Sequence, residues 1–324
     1  MRILVTGGAG YIGSHMVKLL ADRGDEVTVL DDLSTGHADA VRGAKLVRGD
    51  IANIGSTSKL LEENRTEAVV HFAAASLVAE SIADPLKYYT RNVAGTAALV
   101  RAMREAGVGK LVFSSSAAVY GNPQRLPIDE AHPTEPVNPY GSTKLAMERM
   151  LAECCAAYGL KAAVLRYFNA AGANPQAGLG ERHDPETHLI PLVLRAAAKD
   201  TPVSVFGTDY PTRDGTCVRD YIHVADLCDA HVRALDWLAA RGTYGCFNLG
   251  NGDGATVLEV IEAARRVTRK EIKLNKAPRR PGDPPSLVAD ATKAKRVLGW
   301  RATRAEIDTI VSDAWEFEQR RPGV

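Results

Sequence analysis

The 324-residue sequence predicts an α/β fold, a doubly wound parallel sheet followed by a smaller α/β C-terminal lobe. Three observations carry this. In the first half, apolar β-rich runs alternate with helical patterns, the order a parallel sheet needs because each crossover takes a helix. A glycine-rich turn follows the first of those runs directly. From about Gly172 the loops lengthen and fill with Gly, Pro, Asp and Thr, which marks a second unit.

Strand-like runs lie at 2–6, 26–30, 45–48, 68–72, 110–114 and 162–167. Each is mostly continuous Val, Ile, Leu or Ala rather than alternating, as expected of strands covered on both faces. Helical patterns stand between them at 13–23, with Met16, Val17, Leu19 and Leu20 apolar, and at 84–106 and 142–158. Past a boundary near residue 170, long loops at 172–187 and 207–219 flank a helix at 189–199. Tyr221-Ile222-His223-Val224 reads as a short strand and 226–240 as a helix, so the segment 219–241 is expected to return to the first domain. The tail predicts a helix at 257–268, a Pro-rich crossing at 278–285 and two terminal helices. The expected division is therefore 1–170, with that return segment, and 171–324.

Lys and Arg number 40 against 39 Asp and Glu, a net charge of +1 scattered along the chain. Nucleic-acid binders carry a basic stripe, which this sequence lacks, so anions are expected to be held locally. The start at Met1 runs straight into the glycine turn, leaving no room for a signal peptide, and no apolar run is long enough to span a bilayer. The five cysteines are odd in number and form no C-x-x-C pair, which predicts free thiols in a reducing compartment. A cytoplasmic protein without a membrane partner is expected.

Thr6-Gly7-Gly8-Ala9-Gly10-Tyr11-Ile12-Gly13-Ser14 joins the first strand to the first helix. Glycines at 7, 10 and 13 allow a tight turn, close approach of a diphosphate to backbone N–H groups, and close helix–strand packing. A nucleoside-triphosphate loop needs Lys after the last glycine, and Ser14 stands there. Asp31 and Asp32 end the second strand roughly 20 residues on, where an acid meets the adenosine ribose hydroxyls of a dinucleotide. A carboxylate there repels a 2′-phosphate, so a Rossmann-type NAD site is predicted over an NADP site. Asp31 is the stronger candidate, since a capping or turn role suits Asp32. Asp50, followed by Ile51, would flank the adenine, although an exposed turn carboxylate explains Asp50 equally well.

Ser114-Ser115-Ser116 ends another strand, and Tyr140-Gly141-Ser142-Thr143-Lys144 opens a helix. Tyr140 and Lys144, four apart, share a helix face. A tyrosine with a pKa of about 10 is a poor base unless cations favour its phenolate. Lys144 and a positive nicotinamide would do so, and a serine hydroxyl opposite would align the reacting hydroxyl. Alone, Y-x-x-x-K is commonly a surface pair; after a glycine turn and a serine-ended strand it points to proton transfer.

These segments, with Asn92 and Val119-Tyr120-Gly121, resemble the extended short-chain dehydrogenase/reductases. Tyr167-Phe168-Asn169, Gly172, Leu189-Ile190-Pro191, Val205-Phe206-Gly207, Asp214-Gly215-Thr216, Val218 to His223, and Arg279-Arg280-Pro281-Gly282-Asp283 narrow the resemblance. Together the set is similar to the UDP-glucose 4-epimerases over essentially the whole chain. That resemblance implies Ser116, Tyr140 and Lys144 as the catalytic trio. It implies an NAD site of Gly7, Gly10, Tyr11, Ile12, Gly13, Asp31, Asp32, Asp50, Ile51, Phe72, Ala73, Ala74, Asn92, Ser114, Tyr140, Lys144 and Phe168. For a UDP-sugar it implies Ser116, Tyr140, Asn169, His188, Leu189, Ser204, Phe206, Arg219, Tyr221, Arg280, Asp283 and Leu287. The chemistry suits the roles: an aromatic wall for uracil, guanidinium forks for a diphosphate, a carboxylate for ribose hydroxyls.

Three positions depart from the family pattern. Ser76 stands where many members carry Lys beside the cofactor, His188 replaces an Asn that meets the substrate phosphate, and Leu287 occupies the gate beside the sugar 2-substituent. No metal site is expected, because His183, Asp184 and His188 read as loop residues facing solvent or substrate. The implied reaction interconverts UDP-glucose and UDP-galactose through a 4-keto sugar. UDP-N-acetylhexosamines, UDP-glucuronate and UDP-pentoses stay open as substrates. A 4,6-dehydratase would have Asp-Glu where Ala117 and Ala118 stand, and a non-catalytic sensor would lack Tyr140 or Lys144. A two-fold homodimer through helices 84–106 and 142–158 is expected.

Overall fold

The computed structural model describes residues 1–280 and 282–321, so Pro281 of the arginine-rich motif and residues 322–324 lie outside it. The chain opens with β1 (Arg2–Thr6), α1 (Tyr11–Asp22), β2 (Glu26–Asp31), β3 (Lys45–Arg48), α2 (Ile54–Glu63) and β4 (Ala68–His71). Two short helices, α3 (Val78–Ala83) and α4 (Pro85–Tyr88), lead through a wider π-type turn (Tyr89–Ala94) into α5 (Gly95–Glu105). Then come β5 (Lys110–Ser114), α6 (Pro139–Tyr158) and β6 (Lys161–Tyr167). The second half runs β7 (Asn169–Ala171), α7 (Leu189–Lys199), β8 (Val203–Phe206), β9 (Val218–Arg219), β10 (Tyr221–His223), α8 (Val224–Ala240) and β11 (Tyr244–Leu249). It closes with β12 (Ala255–Thr256), α9 (Val257–Thr268), β13 (Leu274–Ala277), β14 (Ser286–Leu287), α10 (Thr292–Leu298) and α11 (Ile307–Arg320).

Seven strands form one sheet in the order β11-β6-β5-β4-β1-β2-β3, with every pair parallel. The central strands are buried on both faces: β1 places Ile3 and Val5 in one apolar core and Leu4 in the other. Continuous apolar runs are what such a double burial selects. α8 returns to this sheet, because Leu227, Cys228, Leu235 and Leu238 join Ile3, Val5 and Met16 in one core. A separate core gathers Ile190, Val193, Leu194, Val205, Val260, Ile261, Ile310 and Val311 from α7, β8, α9 and α11. No helix among the described residues is long and apolar enough to cross a membrane.

Five features differ from the sequence expectation. β11, an edge of the main sheet, was not anticipated, because Gly245 and Asn248 interrupt its apolar run; α2 was also missed. The helix expected at 84–106 runs from Pro85 to Glu105 but widens to a π-type turn at Tyr89–Ala94, where Asn92 is pulled inside and bonded to the Ala75 peptide and Thr143. The short strand before α8 pairs with β7 rather than with the main sheet. Helix α6 starts at Pro139, three residues before the expected 142, because Asn138 caps it by accepting from the Gly141 N–H at 2.9 Å.

Candidate active site

The strands of the main sheet all end on one side, and the candidate residues follow those ends. After β1 the glycine turn is fixed sterically at two points. Gly7 has φ +70°, and a Cβ there would meet the Ala73 nitrogen at 2.6 Å; a Cβ on Gly13 would meet the Gly7 carbonyl oxygen at 2.1 Å. Gly10 differs, since a Cβ there would touch only the Gly7 oxygen, at 3.4 Å. Gly10 is the residue before α1, and no side chain caps that helix. The turn thus presents a helix N-terminus with open space in front of it, which suits the diphosphate of a dinucleotide.

Asp31 is buried, and its carboxylate accepts from the Ala9 N–H and the Leu33 N–H, both at 2.9 Å. It therefore ties the end of β2 to the glycine turn, a positioning duty that the sequence did not disclose. Asp32 is exposed and closes a turn on Ser34, and Asp50 closes one on Ala52. Ile51 belongs to the core and packs beside Gly95. Phe72, Ala73 and Ala74 follow β4 half-buried, Phe72 stacking 4.8 Å from His231. Asn92 uses its amide to hold the Ala75 peptide, at 2.8 and 3.0 Å, so it shapes the loop beside the cofactor position. Tyr11 and Ile12 open α1, and the Tyr11 hydroxyl donates to the Gly172 carbonyl at 2.7 Å, linking the turn to the second half of the chain. Arg182 forks onto Asp39 at 2.9 Å across the same gap.

Tyr140 and Lys144 lie in the first turns of α6, facing the end of β5. Lys144 is 4% exposed and donates to the Ser114 carbonyl at 2.8 Å, while the Ser114 hydroxyl pairs with the Tyr167 hydroxyl at 2.7 Å. Burial lowers Lys144 to about 8, against the opposing pull of the Glu148 carboxylate. Burial also pushes Tyr140 upward, with the Ser116 hydroxyl working the other way. The Lys144 ammonium is turned to Ser114 and lies 5.8 Å from the Tyr140 ring centroid, so it is one of the two positive charges, with a nicotinamide, that the sequence reading sets beside the phenolate. The phenolate needs further positive charge, which a nicotinamide carries. Ser116 opens a short helical turn and accepts from the Ala118 N–H at 3.2 Å.

Phe168 and Leu287 each pack against the small apolar cluster of Ala117, Val119, Tyr120, Ile128 and Leu145, which includes the residue after Ser116. Asn169 is half-buried where β6 passes into β7. Farther off, Arg219 donates to Asp283 at 3.0 Å and to the Pro284 carbonyl at 3.0 Å, and the Arg280 guanidinium lies 4.0 Å over the Phe206 ring. In each pair the groups are engaged with one another. Ser204 is exposed on β8, and Leu189 is half-buried at the start of α7. Tyr221 is 7% exposed within the second core, a packing position rather than an open one.

Two groupings escaped the sequence. Glu181, His183, Glu186 and His188 bring ligand atoms within 4.8 Å of one another. His183 lies 3.0 Å and His188 2.7 Å from Glu181, and His188 lies 3.1 Å from Glu186, so these donors are paired inside the cluster. Although burial opposes it, hydrogen bonds to Glu181 and Glu186 raise His188 to about 10. Asp184, read with these histidines, is not a member. The second grouping is a buried ion pair of Glu148 and Arg166; Glu148 stands four residues past Lys144 on the same helix face, a signal the sequence did contain.

Residues 3–250 match the NAD dependent epimerase/dehydratase family. The chain belongs to that family. It is 50% identical over 323 residues to a UDP-glucose 4-epimerase of Halalkalibacterium halodurans, covering 99% of this chain and 97% of that one. It is 51% identical over 324 residues to a UDP-glucose 4-epimerase of Streptomyces lividans, with 99% and 97% covered. The crystal structure of UDP-glucose 4-epimerase from Brucella ovis in complex with NAD superposes with a TM-score of 0.95 at 48% identity, over 97% of each chain. For this epimerase/dehydratase fold the uncapped turn before α1 and the Tyr140–Lys144 face are the two features with chemistry to offer.

Proposed function

We propose that this chain is an NAD-dependent isomerase that interconverts UDP-glucose and UDP-galactose by epimerisation at C4. The supporting observation is the juxtaposition of Tyr140, Lys144 and Ser116 at the end of β5, on the same side of the sheet as an uncapped helix N-terminus. NAD, when bound, supplies the acceptor and donor of hydride for the sugar C4. Tyr140 takes the proton of the C4 hydroxyl and returns it once the 4-keto sugar has turned over. Lys144 contributes charge that favours the phenolate, and the Ser116 hydroxyl aligns the reacting oxygen. Arg219 and Arg280 hold the diphosphate, Phe206 walls the uracil and Asp283 accepts from the ribose hydroxyls, after the Arg219–Asp283 pair has opened. Phe168 and Leu287 flank the sugar. A 4,6-dehydratase reading lacks support because Ala117 and Ala118 offer neither acid nor base.

The division of labour follows: residues 1–170 with 219–241 for NAD, and 171–324 for the UDP-sugar. We further propose a cytoplasmic homodimer. The free cysteines suit a reducing compartment, and Ile82 (64% exposed), Leu86 (77%) and Tyr158 (57%) give the α3–α4 and α6 side an apolar surplus. Incubation of the purified protein with UDP-galactose should yield UDP-glucose, and its denatured supernatant should contain NAD(H). Absence of conversion by NAD-loaded protein refutes the reaction, and recovery of NADP in place of NAD refutes the cofactor choice.

A further inference from the structure

Helix α6 carries Tyr140, Lys144 and Glu148 at successive four-residue steps, hence on one face. Glu148 is 3% exposed and Arg166, on β6, is 7% exposed. The Arg166 Nε donates to the two Glu148 oxygens at 3.0 and 3.1 Å, and a terminal nitrogen donates at 2.5 Å. The Ser115 hydroxyl donates to the same carboxylate. Arg166 also donates to the Tyr120 hydroxyl at 2.9 Å, and Tyr120 donates to Asn248 at 2.6 Å. A buried ion pair is weak as a source of stability, because desolvation offsets its attraction, and well-packed apolar residues often replace it without loss. Its location is more informative. The end of β5 is gripped from α6 at two consecutive residues: Lys144 holds the Ser114 carbonyl and Glu148 holds the Ser115 hydroxyl. The next residue is Ser116.

We infer that Glu148, backed by Arg166, is a positioning residue for the epimerisation: it fixes Ser115 so that the Ser116 hydroxyl faces Tyr140, and it sets a carboxylate one helical turn behind Lys144. The inference rests on the reaction proposed above. Other titratable or charged groups face this cluster: His71 on β4, Tyr88 on α4, Tyr120 after β5, Tyr140 on α6, Arg166 and Tyr167 on β6, and Tyr244 and Cys246 on β11. Burial keeps His71 neutral, and burial pushes the five tyrosines and the thiol upward, so in the chain without cofactor they stay uncharged near neutrality. Arg166 is saturated by Glu148. Glu148 is therefore the carboxylate that sustains the Lys144 charge.

The test uses the NAD-loaded enzyme with UDP-galactose, measuring kcat, KM and the pH dependence of kcat. Glu148→Gln keeps the shape and an acceptor but removes the charge. kcat is expected to fall about tenfold or more, the scale on which small misplacements act, with KM within about twofold of wild type. The alkaline limb of kcat should move to lower pH by about half a unit or more, as Lys144 loses its charge sooner. Glu148→Asp, which restores the charge at shorter reach, should return that limb to its wild-type position, which a purely structural role would not do. If Glu148→Gln does not fold, the pair is removed together in Glu148→Met/Arg166→Met; this removes no net charge, so kcat should fall as before at a KM within about twofold of wild type while the alkaline limb stays in place, and a wild-type kcat in this variant overturns the inference. Ser115→Ala leaves the pair intact and should lower kcat about tenfold at unchanged KM, the loss expected of one hydrogen bond to a charged group. A folded charge-removing variant with wild-type kcat and an unmoved alkaline limb overturns the inference, as does a Ser115→Ala enzyme with wild-type kcat. Inactive wild-type enzyme instead overturns the proposed reaction.

Discussion

Replacing Lys144 by Met should stabilise the cofactor-free chain at neutral pH while nearly abolishing turnover. Lys144 is 4% exposed, and burial lowers it from 10.5 to about 8. A group whose cationic form is disfavoured on folding costs stability wherever it is charged in both states, that is, below about 8. At about 1.4 kcal/mol per pH unit, the cost is roughly 3 kcal/mol. The bond to Ser114, at 2.8 Å, returns part of this; losing it, and leaving that carbonyl without its donor, costs about 1–2 kcal/mol. Methionine fills nearly the same volume and adapts to irregular gaps. The net gain for Lys144→Met is about 1–2 kcal/mol at pH 7, or about 2 °C in Tm for a chain of this length. The gain should shrink as pH rises from 8 and reverse by 10.5, where the folded group is neutral and the unfolded one half protonated, so the lost hydrogen bond outweighs the small remaining difference. Urea unfolding of NAD-free protein at pH 7 and pH 10.5 measures both points. A variant less stable than wild type at pH 7, or a difference independent of pH, would refute the reasoning.

Tyr140→Phe should reduce kcat by about a thousandfold or more and Ser116→Ala by less, with the Tyr140→Phe/Lys144→Met double variant little worse than either single, because the two act as one unit; near-normal turnover by Tyr140→Phe counts against proton transfer there. His188, raised to about 10 by its carboxylate neighbours, contributes stability that is complete below about 6.5 and lost as pH climbs through about 10. Thermal midpoints of wild type should therefore drop over that window more than those of His188→Asn, and parallel curves would show the cluster to be inert. Leu287→Ser should raise turnover of UDP-N-acetylhexosamines relative to UDP-glucose and Leu287→Tyr should lower it, by about 10–200-fold at most, since pocket misfits of this size are worth about 1–3 kcal/mol; an unchanged ratio in both variants would remove Leu287 from the sugar site.

The sheet was legible because its strands obey one rule. Segments such as Leu111-Val112-Phe113 and Val69-Val70 are buried on both faces, and double burial writes itself into sequence as an uninterrupted apolar run. β11 broke the rule at the sheet edge, where Asn248 faces inward to serve the Tyr120 hydroxyl and the Ile128 carbonyl. Sequence patterns report hydrophobicity, not polar partnership, so the π-type turn around Asn92 was equally hidden. The site was readable to the same degree. Residue types at fixed spacing announced the glycine turn and the Tyr140–Lys144 face, whereas pairings across long separations did not show. Asp31 with Ala9, Glu148 with Arg166 and Arg219 with Asp283 are contacts that only the folded chain defines.

Those hidden pairings divide the proposed site into two mechanical classes. At the reacting end buried groups are held by buried or half-buried ones: Lys144 by Ser114, Ser114 by Tyr167, Ser115 by Glu148 and Glu148 by Arg166. Such a network is slow to rearrange, because each displaced polar group would be left unpaired away from water. At the nucleotide end the groups lie nearer the surface and are bound to each other, Arg219 (13% exposed) with Asp283 (35%) and Arg280 over Phe206. Opening those pairs is offset on binding, because the incoming diphosphate and base replace the contacts that are lost. An epimerisation that presents both faces of one sugar carbon to one hydride position needs this asymmetry. The proton-transfer groups must keep their geometry while the sugar turns, and the anchor must grip the nucleotide without fixing the ring. On the proposed reading, rigid burial around Tyr140 and compliant pairing around Arg219 are two requirements of a single reaction.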